Sequence, residues 1–336
     1  MKRAAGISGA ALAIALVGAW VEWTADEPVD LDGKVVLLQG EADAISAVRW
    51  ISDDSEATIT RKSDARGEYF WVDYTRWSTA PLPAARAESD TGEADEPERT
   101  ATRSAFKSAK KSIDLMASLS PMAAQRSLDV TDEGKLAEIG LDEPSAYIEI
   151  DRSGRTQKLA VGGEAYGTRD YYVRHDETAK VYLVDRDLIQ PLKYARTRLP
   201  DRSLFDAERA DISAVQISAA ARGLSLVQIN ADDPAKAAWA SVDAADVALA
   251  QPTTWVDKFL GLKGTRYADP EAPPEALEDR FEVALTVGDA VTTIAVQQVG
   301  TDGDWYASSE HTRGLVKLVR STASGLAEDM DGVLGE

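Results

Sequence analysis

Apolar and polar positions alternate in two phrases of the chain, AISAVRW at 44–50 and DISAVQI at 211–217, with the period of a half-buried strand. At a constant offset Ile45, Ser46, Ala47 and Val48 recur as Ile212, Ser213, Ala214 and Val215. Further along, ATITR (57–61) answers LSLVQ (224–228), so each copy predicts two short strands joined as a hairpin. Trp71 then falls where Trp239 does, one residue out of step. SIDLMASL (112–119) lines up with TWVDKFLGL (254–262), placing Asp114 over Asp257, Met116 over Phe259 and Leu119 over Leu262. The second of these carries Trp255, Phe259 and Leu262 as a helical stripe, with Thr253 or Thr254 as its expected N-cap.

The parallel continues to the end of each copy. AYIEIDRSGRTQKLAVGG resembles FEVALTVGDAVTTIAVQQVG as two strands around a turn, and RDYYVRHDETAKVYLVD echoes GDWYASSEHTRGLVKLV as a second hairpin. Short helical runs close both, around 186–192 and 321–326. The expected fold class is therefore α+β: two tandem related modules of antiparallel strands plus helices, the first over 28–195 and the second over 205–330.

Two segments belong to the first copy alone. Residues 81–105 are rich in Glu, Ala, Thr and Pro and poor in large apolar side chains, which predicts a disordered acidic insertion. In VTDEGKLAEIGLDEP (130–144), Thr131 is the expected cap of a short helix and Gly140 its left-handed C-terminal residue. Pro144 blocks continuation, and Leu141 folds back onto the helix.

The first 24 residues change the picture from two modules to an anchored pair. Lys2 and Arg3 precede an apolar run from Ala4 to Trp23 that has no charge before Glu22, long enough to span a bilayer, with Trp20 and Trp23 at its outer end. The basic pair orients the N-terminus inside, so the expected location is the cytoplasmic membrane, single-pass, with the bulk of the chain periplasmic or otherwise extracytoplasmic. A cleaved signal peptide, cut after Val17 and Ala19, is the alternative to a retained anchor at 1–24. Gly6 with Ala10 and Gly9 with Ala13 have the small-residue spacing that suits packing on partner helices.

Composition then narrows function. The 336 residues carry a formal charge of −20, which argues against nucleic acid and against anionic lipid surfaces. No cysteine is present, so disulfides, thiolate metal sites and a cysteine nucleophile are excluded together.

The run LAEIGLDEP (136–144), then AYIEI, KLAVGG, DYYVR, VYLVD and the Arg-rich RTRLPDRSLF (196–205), resembles the bacterial family called domain of unknown function 4340. The resemblance covers most of the chain after the anchor. It implies a membrane-anchored extracytoplasmic protein, often encoded beside ABC transporter permeases and gliding-type auxiliary components. The family supplies no established catalytic residues to carry over.

Candidate chemistry is sparse. His175 and His311 sit at related hairpin positions and read as turn residues; VGGEAYG and GLKGTR lack phosphate-loop spacing. Ser108 and Lys111 have a Ser-x-x-Lys spacing without its companion motifs, and VDLDGK and TDGDW are incomplete as calcium loops. No catalytic, cofactor-binding or metal-binding residue is assigned.

Binding candidates are clearer. Tyr171 with Tyr172, and Trp305 with Tyr306, place adjacent rings on opposite faces of a strand, one for the core and one as a contact for a protein or a sugar. Arg196, Arg198 and Arg202 form a basic cluster between the modules, either a hold for an acidic partner or a set of ion pairs with the chain's own carboxylates. The expected function is a non-enzymatic accessory or scaffold protein working with membrane protein subunits, an ABC-type permease or gliding-like assembly among them. The alternative is a cell-envelope polysaccharide-binding module, and a less favoured third is an envelope hydrolase, which would need a convergent pocket of carboxylates.

Overall fold

In a computed structural model describing residues 33–79 and 99–335, the alternating phrases become hairpins of two large sheets. The first half contains strands β1 (Val35–Leu38), β2 (Ile45–Ser52), β3 (Ser55–Asp64), β4 (Gly67–Thr79) and β5 (Arg99–Lys107), then helix α1 (Lys110–Ser118). It continues with β6 (Met122–Ala124), β7 (Arg126–Leu128), α2 (Glu133–Glu138), β8 (Ala146–Arg152), β9 (Arg155–Glu164), β10 (Tyr171–His175) and β11 (Val181–Val184), and ends in α3 (Arg186–Lys193) and α4 (Ala195–Arg198).

The second half holds β12 (Ala214–Ala219), β13 (Arg222–Ile229), β14 (Ala238–Ser241), β15 (Ala244–Ala248) and α5 (Ala250–Leu260). After these come β16 (Gly264–Tyr267), β17 (Leu277–Val287), β18 (Ala290–Val299), β19 (Trp305–Ser309), β20 (Val316–Leu318), α6 (Arg320–Glu328) and α7 (Met330–Leu334).

Each half builds a nine-stranded antiparallel sheet, in the orders β5-β4-β3-β2-β8-β9-β10-β11-β7 and β15-β14-β13-β12-β17-β18-β19-β20-β16. Position by position the two orders are the same, with α1 answering α5 and α3 answering α6. The strands β7 and β16, which follow those first helices, cross to the far edge of their sheets, a pairing that local alternation does not reveal. The pair β1–β6 adds a small two-stranded sheet to the first half only. Buried side chains of both halves, from Ile45, Ile59 and Ile148 to Trp239, Phe259 and Ile294, belong to one continuous hydrophobic core.

The expected break after α2 is present in full. Gly140 adopts φ +70°, its N–H bonds the carbonyl of Ala137, and Leu141 N–H bonds that of Leu136, which together close the helix C-terminus. Leu141 is buried against Gly162, where a Cβ would lie 2.3 Å from the Ile139 carbonyl oxygen. The cap is Asp132, which accepts from Lys135 N–H at 3.0 Å, and not Thr131. The α5 cap also differs from expectation. That helix begins four residues earlier than Thr254, with Leu249 as its uncapped boundary, and Thr253 Oγ1 instead accepts from Trp239 N–H at 3.0 Å, tying the helix to β14.

Two further expectations are corrected. Arg61 opposes Phe70 and Gln228 opposes Trp239, so Phe70 is the counterpart of Trp239, and Trp71 is the counterpart of Ala240. A slip of one residue reverses the face of a strand, and Trp71 accordingly points away from the position that Trp239 fills. Within 81–105, residues from Arg99 onward form β5, whose register runs from Arg99 opposite Thr79 to Lys107 opposite Trp71. Alternating Thr100 and Thr102 suit a strand, and Ala105 and Phe106 give it a buried end. Residues 81–98, like the segment 1–24 in which an anchor is expected, lie outside the described residues. No described helix is long and apolar enough to cross a membrane.

Candidate functional site

Where the two sheets meet, the end of β5 brings Lys107 to Asp201 and His311. Lys107 Nζ donates to Asp201 Oδ2 at 2.8 Å, and His311 Nε2 lies 2.8 Å from the same oxygen. Their side chains are 10%, 14% and 12% exposed respectively. Burial opposes charge on Asp201, yet hydrogen bonds from His311, Lys107 and the Ser203 N–H outweigh it and hold the carboxyl well below the usual carboxylate range. Beneath the trio Tyr267 packs edge-on to Trp71 (ring centroids 6.4 Å apart) and against Phe106 (6.1 Å). Burial, reinforced by the charge on Asp201, raises the Tyr267 phenol above its ordinary value.

The rim of this junction is ionic. Arg313 holds Asp64 with two hydrogen bonds, of 2.5 and 2.9 Å, and stacks 4.0 Å from the Tyr69 ring centroid. Arg66 pairs with Glu310, and Arg103 with Glu271. A cleft of about 580 Å³ opens between the modules with Lys107 and His311 on its lining and an apolar wall that includes Phe205, Leu285 and Val287.

A second cleft, of about 490 Å³, lies at one end of the first sheet under the turn between α3 and α4. Tyr194 leaves helical geometry there (φ −113°, ψ 35°), after Pro191 inside α3, and the break places Lys193, Tyr194 and Arg196 on the cleft wall. Trp50 from β2, Tyr74 from β4 and Tyr171 from β10 form the aromatic floor. Lys193 Nζ sits 5.5 Å from the Tyr171 ring centroid and 5.7 Å from that of Tyr194. Tyr171 donates to Glu164 at 2.6 Å; burial and that carboxylate raise its phenol above the ordinary value. Arg196 also borders a third cleft, of about 310 Å³, lined by Arg103, Arg266, Tyr267 and Tyr306.

The residues singled out from sequence are thus partly brought together. Tyr171, Arg196 and Tyr306 line two clefts that share Arg196. Tyr172 is half-buried on the opposite face of the first sheet, packed with Leu141, Ala160 and Val181. Trp305 is 4% exposed, so neither ring of the second pair stands free in solvent as a contact: β19 buries Trp305 in the core and Tyr306 beside the junction. Arg198 is exposed, bonds Gln190 at 3.0 Å and lies over Tyr194. Arg202 is exposed, while its backbone carbonyl accepts from Gly264 N–H at 2.8 Å. None of the three arginines makes an ion pair with a described residue; other side chains hold the modules together.

The histidines diverge. His175 accepts from Glu177 N–H within its own turn, whereas His311, at the related position, reaches Asp201 across the junction. Ser108 is buried and bonds Ser112 and the Leu199 carbonyl, with Lys111 exposed to solvent. Asp304 of TDGDW pairs with Lys317. Among the described residues no three His, Asp or Glu side chains converge to hold a metal ion.

Residues 91–280, more than half the chain, match the family described as domain of unknown function (DUF4340). The chain belongs to this family. The DUF4340 match runs from before β5 into β17, so it spans the junction and includes Lys107, Tyr171, Arg196 and Asp201, while Trp50 and His311 lie outside it. No curated protein and no solved structure matches the chain.

Proposed function

We propose that this DUF4340 protein is a non-enzymatic accessory or scaffold subunit, held at the cytoplasmic membrane by its N-terminal segment with its bulk outside the cytoplasm. It works with membrane protein subunits of an ABC-type transporter or a gliding-like assembly. The observation that carries the reading is the junction: one hydrophobic core runs through both halves, and buried Lys107, Asp201 and His311 stitch them where their sheets meet. A body of fixed internal geometry presents its surfaces at fixed separations, which is what a scaffold requires. The trio favours a structural role because both bases converge on one carboxylate, and no hydroxyl nucleophile is bonded to either base among the described residues.

The test is crosslinking in membranes of the native host, followed by mild-detergent purification and identification of co-purifying chains. Recovery of permease or other membrane subunits is expected. Recovery of the protein alone, with its N-terminal segment intact, overturns a stable assembly.

A further inference from the structure

We infer that the cleft under the α3–α4 turn is a binding site for an anionic saccharide, with the exposed Tyr194 as its stacking surface and Lys193 and Arg196 as the acid-group contacts. This inference stands apart from the scaffold reading and does not need it. It starts from charge. In a chain of net charge −20, Arg76, Lys193 and Arg196 line one cleft; the charge of Arg76 acts on Asp54 beside it, while Lys193 and Arg196 make no ion pair with a described residue. Cations left unpaired beside an aromatic wall are suited to a carboxylate or phosphate, through charge-assisted hydrogen bonds.

The aromatic composition narrows the ligand further. Trp50 is 3% exposed, and its indole Nε1 has no hydrogen-bond partner among the described residues although the ring lines the cleft. Tyr194, 46% exposed, stands at the mouth opposite the buried Tyr171, with the Lys193 ammonium near both rings. Flat rings that are apolar in body and polar at the tip accept the C–H face of a sugar.

Carboxylates on the same cleft decide between a sugar and an acidic peptide. Asp54 is held by Ser52 at 2.8 Å and Ser55 at 3.1 Å, but Asp53 is exposed and makes no ion pair with a described residue. A carboxylate accepts hydrogen bonds from sugar hydroxyls and repels a run of acidic side chains. A cleft carrying rings, cations and a free carboxylate together therefore fits a sugar that bears its own acid group. Its volume of about 490 Å³ is that of an ordinary small-ligand site. Arg196, shared with the neighbouring cleft, gives a longer chain a direction in which to continue.

The corresponding end of the second sheet is packed differently. Ser55, which borders the cleft, opens β3; its counterpart Arg222 opens β13 and is engaged by α7 through Asp331 and the Gly335 carbonyl. Trp50 corresponds to Ile217, and Met330 and Val333 of α7 are buried in the core there.

The test uses the full-length protein in mild detergent, titrated calorimetrically with xylotriose carrying a single glucuronate, maltotetraose 1-phosphate, maltotetraose and tetraglutamate. Saturable binding of at least one of the two acidic sugars is expected, with neutral maltotetraose and tetraglutamate about tenfold weaker or silent. Arg196→Gln and Tyr194→Ala, both at exposed positions, are expected to weaken the acidic sugar about tenfold each while thermal unfolding stays unchanged. Arg202→Gln, outside the cleft, should leave binding as it was. Silence of both acidic sugars, equal or tighter binding of maltotetraose or tetraglutamate, or indifference to both cleft variants overturns the proposal. Because the scaffold reading is tested by co-purification, loss of one result leaves the other intact.

Discussion

The two halves of the molecule share one strand order and use it differently. In the first, β9 buries Leu159, Ala160 and Val161 in succession, because its second face is covered by the α2 segment through Leu136, Ile139 and Leu141. In the second, β18 alternates buried and half-buried residues from Ile294 to Val299, the pattern of a sheet packed on one face. The ends contrast as well: α7 closes the second half, while the first ends in a broken helix pair over an open cleft. The common strand order supplies the frame, and the differences lie in what each half packs against it.

Side-chain deletion in the two equivalent helices gives the largest expected effect. Phe259 stacks on Trp255 (centroids 5.6 Å, interplanar angle 1°) and meets Phe281, so Phe259→Ala should destabilise by about 3–5 kcal/mol. Met116→Ala, at the counterpart position, should cost less, on the order of 2 kcal/mol, since a thioether fills space without ring contacts. Denaturant midpoints of the two variants check the order; a larger loss at Met116 would break the equivalence.

The junction comes next. Asp201→Asn removes the charge that Lys107 and His311 share and should cost about 3 kcal/mol at neutral pH. Because the folded-state carboxyl is held below its unfolded value of about 3.9, its contribution is present above about pH 4 and is lost as pH falls through the folded-state value. Stability profiles of wild type and variant should therefore lie apart at neutral pH and converge in acid. Parallel profiles throughout would remove the ionic account of the junction.

Much of this architecture was legible in the chain because it is local. The alternation of Val48 and Trp50, the stripe of Trp255 and Phe259, and the Gly140 break all act through neighbours a few residues away. The junction was not legible: His311 reads as a turn residue, like His175, until the fold carries it to Lys107 and Asp201. The cleft was half legible, since Tyr171 and Arg196 were singled out, but Trp50 and Tyr194 join them only through the sheet end and the helix break. Trp305 misled because strand alternation assigns opposite faces without saying that both are covered.

Smaller effects sharpen the contrast between the two ends. Gly162→Ala places a methyl 2.3 Å from the Ile139 carbonyl and should cost about 1–3 kcal/mol, read as a lowered melting temperature. The substitution should loosen the α2 segment first, visible as faster hydrogen exchange there. Arg222→Ala breaks an exposed pair with Asp331 and should cost under about 1 kcal/mol, yet it should raise protease cleavage around α7. Unchanged cleavage would mean that Met330 and Val333 hold that end without Arg222.

The central claim, that two copies of one module share a core and are locked into one body at the junction, is tested most directly by calorimetric unfolding of the full chain in mild detergent. The account predicts a single transition whose calorimetric and van't Hoff enthalpies agree, shifted as a whole by Gly162→Ala in the first copy and Phe259→Ala in the second. Two resolved transitions, each moved only by the substitution in its own copy, would contradict it.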